Sequence, residues 1–407
     1  MNWISDIETC GVHDDWLERL DQLLSSSLSI NPTLDGIVQT LRTGEHLSFD
    51  QGITLWNHPD LTEIAHLANM CKFARYGDDV FFNSNLHINQ TNICTLACKF
   101  CAFRRGPKAN DAYALDLDDF IDRINHFEHI IDELHTVGGL HPDWDVTYYE
   151  HLFSGLKKRF PHIHIKSLSA VEIKHIAEAS GMAPRALLSR LQKSGLDSLP
   201  GGGAEILDDD IRDLICYGKE TSDEYISIHR DAHSIGMPTN CTMLFGTIET
   251  PSHRIDHLCR LRELQDETNG FQCFVPYPYL PDNSRLPEAQ LASANEVLRM
   301  ISVSRLMLDN IPHIKAYRMN IGDRLSELSL HHGADDFDGT VGHEEIMHEA
   351  GSDSIYAYSK SELTKFIIDG NGMPVQRNSI YTKFRRFEDD DKDSLGISLP
   401  LVTGTGD

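Results

Sequence analysis

The chain has 407 residues, with 62 acidic and 36 basic side chains, and its formal net charge is −26 at pH 7. This charge argues against a nucleic-acid-binding protein, which would need a basic face. No apolar run reaches the roughly 18 residues that span a bilayer, and residues 1–6 lack the basic and apolar regions of a signal peptide. We therefore expect a cytoplasmic protein without a membrane partner.

The N-terminal part predicts helices. Within residues 1–78, apolar side chains recur at helical spacing, as Trp16, Leu20, Leu23 and Leu24 do. We interpret this segment as a helical extension that precedes the main domain.

Short β-rich runs alternate with amphipathic helices from residue 79 to residue 344. The clearest helices cover residues 148–160, 221–235 and about 293–308, and the second begins with a capping-box pattern at residues 221–224. Repeated βα units predict an α/β fold with a parallel sheet, and about eight of them favour a TIM-type (βα)8-like barrel over an open six-stranded arc. The β-rich runs begin near Val80, Ile131, His162, Leu196, Thr239, Phe271, His313 and, weakly, Asp335.

Three cysteines stand in the loop after the first β-rich run. Cys94, Cys98 and Cys101 follow a C-x3-C-x2-C spacing. Three thiolates can hold three irons of a cubane cluster and leave the fourth iron open. A zinc site needs a fourth ligand, usually from a second paired motif, and nine cysteines in 407 residues are neither dense nor even in number, as a disulfide framework would require. We therefore interpret the three residues as ligands of an iron–sulfur cluster.

The cysteine spacing resembles the signature of radical S-adenosylmethionine enzymes. This resemblance implies a [4Fe–4S] cluster whose open iron binds S-adenosylmethionine. It also implies that Phe100 lies against the adenine, although Phe100 also fits a packing anchor for the loop. Gly138 and Gly139, after the second run, would hold the methionine amino group, because glycines let the backbone approach a ligand closely.

Candidate catalytic and binding residues follow at the ends of later runs, where barrel enzymes carry their chemistry. His141 either binds substrate or moves a proton, or it is an ordinary loop histidine. Glu172 places a carboxylate after the third run. Glu205 follows three consecutive glycines and is either a ribose ligand or a partner of a helix dipole. Arg285 is either a clamp for a substrate carboxylate, whose geometry a guanidinium matches, or a solvated loop arginine.

The C-terminal part predicts two further segments. Residues 345–387 form an extension that packs on the barrel and contains a helix near residues 361–368. Residues 388–407 begin with a run of acidic side chains, and we expect this tail to be disordered.

From about residue 50 to residue 382 the sequence resembles the aminofutalosine synthases, the radical S-adenosylmethionine enzymes of the futalosine route to menaquinone. The cyclase that acts later in that route and the synthases of the deazaflavin precursor share much of the pattern, but residues 137–142 and 170–173 favour the synthases. Residues 271–279 depart from the more usual proline- and phenylalanine-bearing version, so the resemblance does not determine the details of the substrate pocket. The stretches that carry the resemblance are Asn89-Gln90-Thr91-Asn92-Ile93-Cys94 with Cys98 and Cys101, His135-Thr136-Val137-Gly138-Gly139-Leu140-His141-Pro142, His164-Ile165-Lys166, Ala170-Val171-Glu172-Ile173, Leu196 to Glu205, Met243-Leu244-Phe245-Gly246, Ile248-Glu249-Thr250, Gly333-Ala334-Asp335-Asp336, Asp338-Gly339-Thr340 and Pro374-Val375-Gln376-Arg377 ahead of Tyr381.

The resemblance also implies a reaction. The reduced cluster cleaves S-adenosylmethionine, which is consumed, and the 5′-deoxyadenosyl radical adds to the enol-ether double bond of 3-[(1-carboxyvinyl)oxy]benzoate. Decarboxylation then gives 6-amino-6-deoxyfutalosine, and the electron comes from a low-potential donor such as flavodoxin or ferredoxin. The two substrate carboxylates imply a cationic clamp from Arg285, His141 or a neighbour, and Arg285→Ala is expected to raise the substrate KM strongly and to leave the cluster content unchanged.

Two alternatives remain open at this point. In the first, the chain abstracts hydrogen, as the cyclase or the deazaflavin-precursor synthases do. In the second, it is a non-catalytic iron–sulfur electron carrier. A three-cysteine site argues against the carrier, because electron carriers usually complete the fourth ligand.

Overall fold

The computed structural model of the chain describes residues 12–26 and 31–386. The predicted acidic tail at residues 388–407 lies outside these described residues. Helices precede the first strand, as the apolar periodicity predicts, and Arg75 of the last one lies 4.0 Å over the ring of Trp16. These helices are α1 (Trp16–Ser26), α2 (Asp35–Thr43), α3 (Phe49–Asn57) and α4 (Leu61–Tyr76), with a 3₁₀ turn at Pro32–Leu34.

Parallel strands follow at the positions of seven of the eight predicted β-rich runs, and the first run is divided into two strands. In the sheet order, β2, β3 and β4 are neighbours in one sheet, and β1, β8, β7, β6 and β5 are neighbours in the other. The strands are β1 (Asp79–Phe82), β2 (Asn85–His87), β3 (Glu133–Thr136), β4 (His164–Ser167), β5 (Thr239–Phe245), β6 (Phe271–Pro278), β7 (His313–Ala316) and β8 (Asp336–Phe337).

The strand order returns to its beginning, as a barrel requires. Phe81 of β1 pairs with Asp336 of the weakly predicted β8. Between β4 and β5, the fourth predicted run forms only isolated parallel bridges, from Ser198 to Lys166 and from Leu199 to Thr239. The TIM-type (βα)8-like architecture is therefore confirmed in strand order and direction, with ladders that are interrupted after β1 and at the fourth position.

Helices connect the strands and cover the barrel. The predicted capping box is present, since Thr221 accepts a hydrogen bond from the Glu224 N–H and the helix begins at Ser222. None of the helices formed by the described residues is long and apolar enough to cross a membrane. The helices are α5 (Leu117–Asn125), α6 (Val146–Arg159), α7 (Ala170–Ala179), α8 (Pro184–Ser194), α9 (Asp209–Cys216), α10 (Ser222–Ser234), α11 (Pro251–Thr268), α12 (Ala294–Met307), α13 (Arg318–Ile321), α14 (Asp323–Ser329), α15 (Ile346–Glu349) and α16 (Lys360–Asp369).

The C-terminal extension adds two strands that the sequence did not predict. These are β9 (Met373–Arg377), which pairs in parallel with β1, and β10 (Phe384–Arg386), which is antiparallel to β9. β9 lies on the side of β1 that faces away from β8. The first strand is interrupted after Phe82, and its second part, β2, pairs with β3. The Gln376 amide also donates to Asp132, just ahead of β3, at 3.1 Å. The extension is therefore part of the barrel wall.

Candidate active site

A cavity of about 290 Å³ opens at the carboxyl ends of the barrel strands. Phe100, Cys101, Gly138, Glu172 and Glu205 all line it. These residues come from the ends of different βα units, which parallel strands place at one edge of a barrel. The structure thus brings these sequence-predicted site residues to one cavity.

The three cysteines lie in a loop that is held by its backbone. Cys98 is buried, whereas Cys94 and Cys101 are partly exposed. The thiols of Cys94 and Cys98 each interact electrostatically with that of Cys101. The loop is anchored at both sides, because the Cys94 N–H donates to the Arg105 carbonyl at 3.1 Å and the Lys99 N–H donates to the Ile215 carbonyl at 2.8 Å.

This donor set fits an iron–sulfur cluster better than a single ion. Among residues 12–26 and 31–386, no three His, Cys, Asp or Glu side chains are grouped as the ligands of one metal ion would be. In a cubane each cysteine binds a different iron, so its thiolates stand further apart. Burial raises the pKa of Cys98 and of Cys101, so both thiols are protonated until a metal deprotonates them. Cys94, Cys98 and Cys101 would hold the cluster as thiolates.

The glycine pair packs against the cysteine loop. A Cβ on Gly139 would lie 2.2 Å from the Ile93 carbonyl oxygen, and a Cβ on Gly138 would lie 2.7 Å from that of Thr91. The Gly139 N–H donates to the same Thr91 carbonyl at 2.7 Å. Only glycine fits such backbone approach. Gly138 lines the cavity and remains a candidate cofactor contact, whereas Gly139 packs against the loop backbone.

Glu172 is a buried carboxylate that organises the cavity wall. Its Oε1 accepts hydrogen bonds from the Gly138 N–H at 3.1 Å and from the Gln90 amide at 2.6 Å. Its Oε2 accepts from the Ser169 N–H and hydroxyl, at 2.7 and 2.5 Å, because Glu172 is the third residue of a capping box at the start of α7. Burial raises the pKa of Glu172, although these hydrogen bonds oppose the shift. Glu172 therefore fixes the position of Gly138.

Glu205 faces the cavity from a left-handed backbone conformation, with φ of 46°. Its carboxylate accepts a hydrogen bond from Lys219 Nζ at 2.5 Å, and that Nζ lies 5.8 Å from the centre of the Phe100 ring. Burial alone would lower the pKa of Lys219, but Glu205 and Glu220 outweigh it and raise the pKa, so Lys219 is charged. Phe100, Glu205 and Lys219 thus form one wall of the cavity.

His141 and Arg285 are not brought to this cavity. The ring of His141 stacks on Trp144 at 4.5 Å, and its Nδ1 accepts the Asp143 N–H at 3.2 Å. The Arg285 guanidinium donates to the carbonyls of Ala97 and Cys98, at 2.9 and 3.3 Å, and it lines a second cavity on the outer side of Cys101. The geometry places Arg285 as a support of the cysteine loop.

Polar side chains inside the barrel were missed because the sequence reasoning concentrated on loops. They alternate along buried strands, as Asn85 and His87 do on β2 and as Glu133 and His135 do on β3. A period of two in polar residues along a barrel strand is the signal that would have found them. Lys166 Nζ donates to Glu133 at 2.8 Å beside these residues. The cavity lining also includes Asn240, Thr242, Tyr277, Lys315, Tyr317, Asn320, Asp338 and Glu344.

Comparison with known proteins places this site in a family. Residues 88–261 match the radical SAM (radical S-adenosylmethionine) superfamily, and residues 268–390 match the family described as the CofH/MqnC C-terminal region. The fold is similar to that of the FeFe-hydrogenase maturase HydG from Carboxydothermus hydrogenoformans, with a TM-score of 0.69 and 17% identity over 90% of this chain and 85% of that chain.

Three curated relatives match most of the chain. The aminodeoxyfutalosine synthase of Streptomyces coelicolor is 39% identical over 87% of this chain and 94% of that protein. The enzyme of the same name from Thermus thermophilus is 37% identical over 87% and 97%, respectively. The cyclic dehypoxanthine futalosine synthase of Streptomyces coelicolor is 34% identical over 86% and 88%. The chain therefore belongs to the radical SAM superfamily, in the family of the aminodeoxyfutalosine synthases and their relatives.

Proposed function

We propose that this chain catalyses the reaction of the aminodeoxyfutalosine synthases. The adenosyl part of S-adenosylmethionine is joined to 3-[(1-carboxyvinyl)oxy]benzoate, one carboxylate leaves as carbon dioxide or bicarbonate, and methionine is released. The observation that carries the proposal is that Cys101, which would bind the cluster, lines the same cavity as Gly138, Glu205 and the polar side chains of the barrel interior. A group generated at the cluster can then meet a small molecule without crossing solvent.

The side chains around that cavity have different roles. When bound, a reduced [4Fe–4S] cluster with S-adenosylmethionine would supply the radical chemistry that joins the adenosyl group to the enol-ether double bond. Cys94, Cys98 and Cys101 would hold the cluster, and the Glu172 carboxylate holds the Gly138 N–H at the cavity wall, where Gly138 would contact S-adenosylmethionine. The part of the cavity that lies inside the barrel would keep water and stray hydrogen donors from the reacting atoms.

Product analysis after anaerobic reconstitution tests this function. The protein receives S-adenosylmethionine, a strong reductant and 3-[(1-carboxyvinyl)oxy]benzoate, and the mixture is analysed by mass spectrometry. We expect a product that contains the adenosyl group and the decarboxylated substrate. Free 5′-deoxyadenosine with unchanged substrate would instead indicate hydrogen abstraction, as in the cyclase. An electron-resonance spectrum that does not change when S-adenosylmethionine is added would indicate an electron carrier.

Replacing Glu172 by alanine is expected to raise the KM for S-adenosylmethionine about 10-fold, because the Gly138 N–H loses its acceptor. Iron content should not change. Glu172→Gln keeps one carbonyl oxygen for Gly138 and should restore part of the affinity. Glu178→Ala, at an exposed position of the same helix, is the control. A lower unfolding midpoint with an unchanged KM would assign Glu172 a structural role only.

The Arg285→Ala variant distinguishes between a support of the cysteine loop and a clamp for a substrate carboxylate. Because Arg285 donates to the carbonyls of Ala97 and Cys98, we expect iron loss to a chelator to accelerate roughly 10-fold, with little change in the substrate KM. Arg185→Ala, at an exposed site on α8, should do neither. A strongly raised substrate KM with an intact cluster would support the carboxylate clamp instead.

We further propose that a low-potential flavodoxin or ferredoxin reduces the cluster and that the protein works in the cytoplasm. A [4Fe–4S] cluster with an open iron requires a reducing environment and an electron source. The rate of adduct formation with candidate donors, measured without a chemical reductant, tests the first point.

A further inference from the structure

Lys315 lies at the inner end of the cavity, below the rim that carries the cysteine loop. It belongs to β7, is 9% exposed and lines the cavity. Its Nζ lies 2.9 Å from Asp336 Oδ1 and donates to the Phe337 carbonyl at 3.3 Å. An ammonium group has three N–H donors. Among contacts of the described residues, these two leave one donor for the cavity.

Asp336 is already neutralised by a partner other than Lys315. Arg377 of β9 donates to both of its oxygens, at 2.6 and 2.9 Å, and the Tyr381 hydroxyl donates at 2.9 Å. Two cations therefore share one carboxylate, so this group has a net charge of +1. The surplus charge is presented to the cavity by Lys315, because Arg377 and Tyr381 are not among the residues that line it.

The other charged side chains around the inner cavity contact one another and nearby backbone groups. Lys166 is paired with Glu133 at 2.8 Å. Asp338 accepts the backbone N–H of Arg318 at 2.6 Å and interacts electrostatically with Lys315. The Arg318 guanidinium lies 3.8 Å from Asp338 and 3.5 Å from Asp323. Glu344 accepts the N–H groups of Ile346 and Met347, at 3.0 and 2.8 Å, and lies 3.4 Å from His348 Nδ1.

The inner histidines add no charge. Burial lowers the pKa of His87 well below its usual value and that of His135 to about 4, so both rings are neutral at pH 7. Lys315 is thus a lysine of the inner cavity that shares its carboxylate partner with Arg377 and keeps one N–H donor for a ligand.

We propose that Lys315 binds the ring carboxylate of the substrate, an inference that rests on the proposed function. The two substrate carboxylates differ in fate, since the benzoate carboxylate persists in the product and the enol-ether carboxylate is lost. A fixed cation on the departing carboxylate would stabilise the ground state more than the path to neutral carbon dioxide and would slow the reaction. On the ring carboxylate the same cation stabilises substrate and transition state alike. The rings of Tyr277 and Tyr317, whose centres are 5.4 Å apart, provide an aromatic wall for the benzoate.

Equilibrium binding to the reconstituted holoenzyme with an oxidised cluster tests this assignment without turnover. The probes are 3-[(1-carboxyvinyl)oxy]benzoate and its analogue with a primary amide in place of the ring carboxylate. Wild-type protein should bind the diacid about 30-fold more tightly than the amide, as for loss of a charge-assisted hydrogen bond. Lys315→Met should bind the diacid about 30-fold more weakly than wild type and should barely distinguish the two probes. The variant should fold, because Asp336 keeps Arg377 and Tyr381.

Lys72→Met is the matched control, because Lys72 is equally buried but lies on α4 and does not line the cavity. It should discriminate between the probes as wild type does. If Lys315→Met still discriminates, or weakens both probes equally, the assignment is overturned. The assignment would also be overturned if wild-type protein lost more binding affinity when the enol-ether carboxylate is replaced by an amide than when the ring carboxylate is replaced. Failure of wild type to bind the diacid at all would reject the proposed function itself, which is a distinct result.

Discussion

Replacing any one of Cys94, Cys98 and Cys101 by alanine is expected to lower the iron retained after anaerobic reconstitution and to reduce adduct formation by more than about 100-fold. Loss of a residue that hydrogen-bonds to a metal ligand typically lowers metal affinity or activity by about 10- to 100-fold. Loss of a ligand itself should have a larger effect. The substitutions remove small side chains, so the barrel should remain folded. Iron and sulfide quantification, together with far-UV circular dichroism, measures both expectations.

Cys71→Ala is the control for this series. Cys71 is buried on α4, and burial raises the pKa of its thiol to about 11, as expected for a small apolar side chain that binds no metal. The variant should retain full iron and full activity. Retention of the cluster in Cys94→Ala, Cys98→Ala or Cys101→Ala would show that other residues hold it. Iron loss in Cys71→Ala would show that the effect is not specific to the three loop cysteines.

The parts of the fold and site that local patterns encode could be predicted from the sequence. The cysteine loop follows from spacing within eight residues, and the helix at Ser222 follows from a capping box. The order of parallel strands follows from the alternation of β-rich and helical runs. Phe100, Gly138 and Glu205, which follow β-rich runs of the sequence, all line the cavity.

Long-range contacts could not be predicted in the same way. The pairing of β9 with β1 joins residues almost 300 positions apart, and the segment around Pro374 has no strand-like alternation. The sequence leaves Arg285 as either a substrate clamp or a solvated loop arginine, and only the fold of its loop shows that its guanidinium contacts the carbonyl of Ala97. Lys315 stands inside a short strand, and only its contact with Asp336 shows that it shares a carboxylate with Arg377. Charge balance of this kind depends on which side chains meet in three dimensions.

Asp336→Asn is expected to have the largest effect on stability, because Asp336 is fully buried between Arg377 and Lys315. Removing its charge leaves two buried cations without a counter-ion, which should lower the free energy of unfolding by roughly 3–5 kcal/mol. Burial alone would raise the pKa of Asp336, but Arg377 and Lys315 outweigh it and hold the pKa below its usual value.

That depressed pKa gives the wild-type protein a pH-dependent stability. A carboxyl group whose pKa is lower in the folded state contributes stability above its unfolded pKa of about 3.9 and loses it as the pH falls towards the folded pKa. Wild-type stability should therefore decrease on acidification below pH about 4, and Asp336→Asn should show a smaller decrease.

A graded series tests the charge argument against simple loss of packing. Arg377→Met leaves Asp336 paired with Lys315, so it should cost less than Asp336→Asn, roughly 1–3 kcal/mol. Asp213→Asn, at an exposed position on α9, should change the free energy of unfolding by less than about 0.5 kcal/mol. Urea unfolding followed by circular dichroism at several pH values measures the series. If Arg377→Met were the costlier change, the packing of the arginine between β9 and the barrel, and not the balance of charge at Asp336, would hold the C-terminal strands in place.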